Sequence, residues 1–432
     1  MKVGFVSLGC SKNLVDSEMA IGLFKKNGFE IESNPELADI IVINTCGFIN
    51  SAKEEAISTI LEMAKYKETG NCKYLIVMGC LVQRYLKELE KSLPEVDLFL
   101  SLSDYDNLWE KVSELLKTKN SCESLNYLDR VITTGNTTAY LKIAEGCSNN
   151  CTYCAIPSIR GPFISRKIED ILEEAEKLAN SGIKELIVIA QDTTKYGIDL
   201  YGKSRLAELL NSLCKIEKIK WVRFLYAYPE SITDELINTV KENEKICNYF
   251  DIPIQHISNN ILKKMNRKSS SSQIKNLIEK IRKEIPNAIL RTSLIVGFPG
   301  ETEQEFNELY EFVKDVKFNK LGVFSYSKED GTPAEKLKQQ IHPSTKKRRW
   351  NKIMEIQKEV SKKMLEKKIG TNYTILIEEE NDKYYVGRTY MDVPDMDGVV
   401  FIRNTENKKI GEFVSCKITE VLDYDLLGEF IN

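Results

Sequence analysis

AYLKIAEGCSNNCTYCAIPSIRG, residues 139–161, decides how this chain is to be read. Residues 140–144 are a short apolar run of the kind that forms a buried strand, and Cys147, Cys151 and Cys154 follow directly. Three thiolates within eight residues can wrap one face of an iron–sulfur cubane. No fourth cysteine lies nearby to close it, so one iron is left open. A zinc site or inert cysteines are the competing reading, but structural zinc usually takes four protein ligands arranged as paired CxxC elements.

Downstream, the rhythm of that first strand repeats. Apolar runs at residues 185–190, 221–226, 249–254, 289–296 and 321–326 are mostly followed by helical spacing. Six βα units fit a partial barrel better than a closed eight-stranded one, with a site expected at the strand ends. This core spans residues 139–343. Upstream, residues 119–138 (KNSCESLNYLDRVITTGNTT) lose the rhythm and read as a linker. Residues 1–118 are a separate βαβ series, with strands at 2–8, 39–44 and 74–78 and helical patterns at 16–27 and 50–66. A lysine-rich helix over residues 344–368 connects to residues 369–432, whose alternation of apolar and polar residues predicts about five strands. The fold class is thus α/β: an N-terminal parallel α/β domain, a partial or open TIM-type barrel, and a small OB-like β-barrel.

Composition narrows the function. With 42% hydrophobic and 29% charged residues the chain buries real cores, and disorder is excluded. Lysine plus arginine at 61 against 64 acidic residues leaves −3, which excludes a chain whose whole surface serves nucleic acid. No run reaches about 18 apolar residues. MKVGFVSLGC opens a strand rather than a signal segment, so no membrane partner is expected and the location expected is cytoplasmic. Eleven cysteines in such a compartment point to metal or chemistry rather than disulfides. Cys10, Cys46 and Cys80 each end a predicted parallel strand, in VGFVSLGC, IIVINTC and LIVMGC. Strand carboxyl ends line the crevice of an open α/β sheet, so these thiols should converge into a second three-cysteine site. Taken singly, each is also what a small buried cysteine at a strand end looks like. Cys72, Cys122, Cys214, Cys247 and Cys416 match neither set and read as structural.

CxxxCxxC with Tyr153 before its last cysteine resembles the signature of radical S-adenosylmethionine enzymes. The whole chain, with its three-cysteine α/β domain, radical core and small barrel of the TRAM kind, resembles the methylthiotransferases of that superfamily. SLGCSKNLVDSE, residues 7–18, and the 139–161 segment are most like the branch acting on ribosomal protein S-twelve; the sister branch, acting on tRNA adenosine, typically carries GCQMN where this chain has GCSKN. The resemblance implies two 4Fe-4S clusters and S-adenosylmethionine as cofactors. Cys147, Cys151 and Cys154 would hold a cluster whose open iron binds S-adenosylmethionine and cleaves it to a 5′-deoxyadenosyl radical. Cys10, Cys46 and Cys80 would hold an auxiliary cluster bearing the sulfur, methylated by another S-adenosylmethionine. The radical would take a β-hydrogen from an aspartate of the ribosomal protein, alone or within the small ribosomal subunit, and the carbon radical would couple to the methylated sulfur. A low-potential electron donor and a sulfur source are implied as further partners.

Other residues stay open between two readings, and none is assigned as catalytic. Tyr153, Gln191, Gly297 and Gly300 are the candidates for contact with S-adenosylmethionine. Gly297 to Glu301 (GFPGE) are expected by resemblance to border it, yet Thr302 and Glu305 form a capping box, so the segment also reads as a strand-to-helix turn. Gln191 and Asp192 end a barrel strand, as pocket residues or as the start of a loop. His256 reads more readily as hydrogen-bonded structure than as a catalyst. GIDLYGKS, residues 197–204, satisfies the phosphate-loop pattern, but it starts too far from the strand end and carries bulky Leu200 and Tyr201. An iron–sulfur ATPase or a cluster scaffold are therefore the weaker alternatives. Residues 369–432 hold thirteen acidic and six basic side chains, a net −7 that suits a basic protein rather than a tRNA backbone.

Overall fold

The computed structural model describes residues 1–118, 124–404 and 407–431. They form two compact units: Met1–Thr133 with Glu145–Ile164 and Ser327–Glu335, and Thr134–Ala144 with Ser165–Tyr326 and Lys336–Asn432. The loop carrying Cys147, Cys151 and Cys154 thus groups with the N-terminal segment.

In the first unit, β1 (Lys2–Ser7), β2 (Glu30–Ile31), β3 (Ile40–Thr45), β4 (Tyr74–Gly79) and β5 (Leu98–Leu100) form a parallel sheet in the order β2-β1-β3-β4-β5. Alternate residues feed opposite cores. Ile41, Ile43, Leu75 and Val77 pack with Ala56 and Ile60, while Ile40, Val42, Ile76 and Met78 pack with Leu23, Phe24 and Trp109. Both faces are covered, which is why these strands read as unbroken apolar runs. Helices α1 (Ser11–Lys26), α2 (Asn50–Ala64) and α3 (Cys80–Ser92) follow β1, β3 and β4, and α4 (Ile156–Arg160) follows the three-cysteine loop. The strand order reverses between β1 and β3, which places the ligand crevice of such a sheet at their carboxyl ends.

The helical pattern predicted from residue 16 begins at Ser11. Its first turns carry Lys12, Asn13, Asp16, Ser17 and Glu18, all buried, and buried polar residues erase the apolar period from which a helix start is read. Glu18 shows how such burial is tolerated: it accepts from Arg130 at 2.9 Å and from the Thr133 backbone N–H at 2.8 Å.

The second unit contains six parallel core strands. β6 (Thr138–Lys142), β7 (Glu185–Ile189) and β8 (Trp221–Phe224) form one sheet; β9 (Tyr249–Asp251), β10 (Ile289–Val296) and β11 (Lys320–Ser325) form another. A single parallel bridge, Val222 to Ile246, marks the seam between them. β6 starts two residues ahead of its predicted position because Thr138, though polar, is buried and hydrogen-bonded to Glu185 at 3.3 Å. Helix α5 (Glu303–Val316) follows β10, and α6 (Pro343–Glu366), entered through a proline at its first position, leads to the terminal barrel. There β12 (Asn372–Glu380), β13 (Tyr384–Arg388), β14 (Val400–Arg403), β15 (Phe413–Val421) and β16 (Leu426–Phe430) close in the order β12-β13-β14-β16-β15, leaving no open edge.

The small barrel seats itself on the amino ends of the core strands. Tyr249 Oη donates to Asp397 at 2.7 Å, and Lys320 Nζ to Asp392 at 2.8 Å. That leaves the carboxyl ends, where a parallel barrel places its chemistry, clear of the small barrel. Only part of the acidic charge of residues 369–432 faces outward. Asp392 and Asp397, together with Glu378 against Arg388 and Asp425 against the Val399 N–H, are bound internally and are not available to a partner. Glu379, Glu380, Asp382, Asp395, Glu420, Asp423 and Glu429 remain exposed. Among the described residues no helix is long and apolar enough to cross a membrane.

Candidate metal centres

Cys10, Cys46 and Cys80 lie just beyond the ends of β1, β3 and β4, and the structure brings them together. Gly9 and Gly79 make the approach possible. Both have positive φ, +94° and +103°; a β-carbon on Gly9 would stand 2.7 Å from that of Cys46, and one on Gly79 would collide with Asn44 Oδ1. Cys10 is exposed, Cys46 is partly covered and Cys80 is buried. Burial pushes the Cys46 thiol up. It pushes Cys80 up to about 12, with the Arg160 guanidinium pulling the other way and neighbouring Cys10 and Cys46 adding to the rise. Loading such a thiol onto a metal must drive off its proton, so the metal supplies that cost.

The second triplet is held by backbone. The Cys147 N–H donates to Gly161 O at 3.1 Å and the Cys154 N–H to Cys151 O at 3.0 Å, so the loop folds back on itself. Cys147 and Cys151 are buried, and Cys154 is partly exposed beside Tyr153. Thr152 O accepts from the Ala334 N–H at 2.9 Å, fastening the loop to the Ser327–Glu335 segment. That segment is anchored in turn by buried Glu329, which accepts from the Asn50 N–H at 2.9 Å, Arg84 at 2.9 Å and Lys53 at 3.1 Å. The two triplets are neighbours: Cys80 packs directly on Ala155 and Ile159. Among the described residues no three His, Cys, Asp or Glu side chains crowd closely enough to hold a single ion. A cubane is held differently, its thiolates spread over separate irons, and two all-thiol triplets on glycine-lined turns fit that donor requirement.

In the second unit, the GFPGE segment forms a tight strand-to-helix turn. Gly297 and Gly300 have φ of +72° and +77°, and Thr302 with Glu305 makes the capping box of α5. The turn is organised around its own Glu301, whose Oε2 accepts from the Gly297 N–H and, at 3.0 Å, from the Phe298 N–H, with Arg349 3.4 Å away. His256 Nδ1 accepts from the Ser258 N–H at 3.0 Å, while its Nε2 faces Glu301 Oε1 at 3.7 Å, too far for a hydrogen bond. Those two atoms are buried facing each other and neither has a hydrogen-bond partner. Asp192 is buried and caps its own loop through the Thr194 N–H at 3.2 Å; Gln191 beside it is half-buried. GIDLYGKS contains a one-turn helix, Ile198–Tyr201, well past the end of β7, with Arg205 stacked on Tyr201. Asn13, Arg160 and Glu329 escaped the sequence reading. Asn13 and Arg160 do stand inside the two cysteine motifs, Asn13 in the first turn of α1 and Arg160 at the end of α4.

Comparison with known proteins agrees with this layout. The Radical SAM superfamily model matches residues 141–313, the uncharacterized protein family UPF0004 residues 2–101, and the TRAM domain residues 369–431. Among solved structures, the radical S-adenosylmethionine methyltransferase TsrM from Kitasatospora setae, solved with cobalamin and a 4Fe-4S cluster bound, is similar with a TM-score of 0.56 at 11% identity, over 77% of this chain and 73% of its own. The cobalamin-dependent S-adenosylmethionine radical enzyme OxsB, at a TM-score of 0.51 and 15% identity, covers 83% of this chain and 56% of its own. At such identities the likeness is one of fold. Sequence relatives are far nearer. The ribosomal protein uS12 methylthiotransferase RimO of Alkaliphilus oremlandii is 65% identical over 99% of both chains, and that of Clostridioides difficile is 51% identical over 100% of this chain and 99% of its own. Identity of that order along the full chain, spanning both cysteine triplets and the terminal barrel, means that the chain belongs to the RimO family of ribosomal protein uS12 methylthiotransferases.

Proposed function

We propose that this chain adds a methylthio group to the β-carbon of an aspartate in ribosomal protein uS12, using two 4Fe-4S clusters and S-adenosylmethionine. The observation that carries the reading is the gathering of both cysteine triplets in one compact unit, with Cys80 packed on the turn that follows Cys154. When bound, the clusters and S-adenosylmethionine supply low-potential electrons, a hydrogen-abstracting carbon radical, and the sulfur and methyl to be transferred. Cys147, Cys151 and Cys154 hold the reducing cluster, and Cys10, Cys46 and Cys80 the sulfur-delivering one. In each triplet part of the thiol set is buried, Cys80 in one and Cys147 and Cys151 in the other, while Cys10 is exposed and Cys46 and Cys154 are partly so. In the second unit, Gln191, Gly297 and Gly300 are the residues we assign to S-adenosylmethionine, and Glu301 holds the glycine turn in shape. Exposed Glu379, Glu380, Asp395 and Asp423 favour a basic ribosomal protein, free or within the small subunit, over a tRNA backbone. A low-potential electron donor and a sulfur source complete the reaction, in the cytoplasm where that substrate resides.

Mass spectrometry of uS12 from cells with and without this gene tests the reading. A methylthio mass on the aspartate only when the gene is present is the expected result. Its absence, or methylthiolated tRNA adenosine instead, would overturn it.

A further inference from the structure

Arg160 ends α4, six residues after Cys154, and its guanidinium is bonded on three sides. Nη2 donates to Asn13 Oδ1 at 2.5 Å and to Asp16 Oδ2 at 2.9 Å, and Nη1 to Glu145 Oε1 at 2.9 Å. Asn13 is wholly buried and is itself a knot. Its Nδ2 donates to Leu8 O at 3.1 Å and Thr45 O at 3.0 Å, the carbonyls leading into Cys10 and Cys46. Its Oδ1 lies 3.5 Å from the Cys80 thiol. One amide therefore touches all three strand-end turns, and one cation joins that amide to the turn carrying the other triplet.

Burying a guanidinium is costly unless it is paired, and here two carboxylates, Asp16 and Glu145, offset the cost. A hydrophobic side chain would fill the same space without that expense, so the retained charge calls for a purpose. A cluster on three thiolates is anionic and gains negative charge on reduction, so a fixed cation nearby favours the reduced form.

We propose that Asn13 and Arg160 are a positioning pair for the auxiliary cluster. Asn13 sets the mutual placement of Cys10, Cys46 and Cys80; Arg160 supplies fixed positive charge to the group they hold and pins the Cys147–Cys154 turn against it. The inference rests on the cluster assignment proposed above. Neither residue touches the reacting atoms.

The test isolates the auxiliary site by changing Cys147, Cys151 and Cys154 to Ala, reconstituting anaerobically with iron and sulfide, and titrating the remaining cluster by electron paramagnetic resonance. On that background Arg160→Gln shifts the midpoint potential negative, and Arg160→Lys restores part of the shift. Glu145→Gln, which removes a compensating anion from a half-exposed position, shifts it positive. Asn13→Ala lowers the iron bound several-fold or alters the spectrum. The opposite signs of Arg160→Gln and Glu145→Gln separate a charge effect from mere damage, and Glu145→Gln carries the test should Arg160→Gln fail to fold. Absence of iron from the parent triple variant would overturn the cluster assignment, and this inference with it. Iron bound normally, with potential and spectrum unmoved by Arg160→Gln, Glu145→Gln and Asn13→Ala, would overturn the inference alone.

Discussion

Arg388 of the terminal barrel meets Glu185 of the core at 2.6 Å, both side chains almost wholly buried. The pair is part of a larger network: Arg388 also bonds Glu378 at 2.7 Å and Thr138 at 3.0 Å, and Glu185 takes a second cation, Arg223, at 2.8 Å. Removing one member of such a network strands the others in a medium that cannot solvate them. Arg388→Met is therefore expected to cost about 3–5 kcal/mol, read as a lowered denaturant midpoint. Trp221, edge-on to Phe413 at 4.9 Å, supplies a fluorescence probe at this junction. A loss below about 1 kcal/mol would mean the network is a bystander.

The same carboxylate predicts a pH dependence. Burial alone would raise the pKa of Glu185, but Arg388 and Arg223 outweigh it and hold the carboxyl below its ordinary 4.5. A lowered folded-state pKa means that the contribution is complete above the ordinary value and is lost as pH falls through the folded one. The stability gap between the native protein and Glu185→Gln should thus be widest near neutral pH and narrow on acidification below about 4.5. A gap that is constant or grows in acid would contradict this.

Iron content reports on the two cysteine sites separately. Changing Cys147, Cys151 and Cys154 to Ala should remove about half the iron of the reconstituted protein, and changing Cys10, Cys46 and Cys80 the other half. Gly79→Ala, which keeps every thiol, should deplete the auxiliary half, because its φ of +103° and the nearness of Asn44 leave no room for a methyl group. Full iron in either triple variant would dissolve the assignment, and full iron in Gly79→Ala would show that the turn tolerates rebuilding.

Substrate recognition follows from which acids are exposed. Glu379→Lys, Asp395→Lys and Asp423→Lys together should weaken binding to isolated uS12 several-fold at low salt while iron content holds. Asp397→Lys should instead destabilise the fold, since that carboxylate accepts from Tyr249 at 2.7 Å and the Val393 N–H at 3.0 Å. Unchanged affinity in the triple variant would remove the acidic barrel from the recognition surface.

Much of this protein was legible as sequence because the relevant signals are local. Strands buried on both faces appear as apolar runs such as IIVIN and LIVMG, and the closed terminal barrel as alternation. The strand-end offset of Cys10, Cys46 and Cys80 follows from the rule that parallel sheets open their crevice at carboxyl ends. What only the tertiary structure decided are polar contacts between residues remote in the chain: Arg160 with Asn13 across 147 positions, Arg388 with Glu185 across 203, Arg84 with Glu329 across 245. A buried polar residue leaves no period in the sequence. It is recognisable only by the partner that makes its burial tolerable, and that partner is chosen by the fold. For the same reason the start of α1 was hidden behind Lys12, Asn13 and Asp16, and four of the acids in the terminal barrel could not be told in advance from solvent-facing ones.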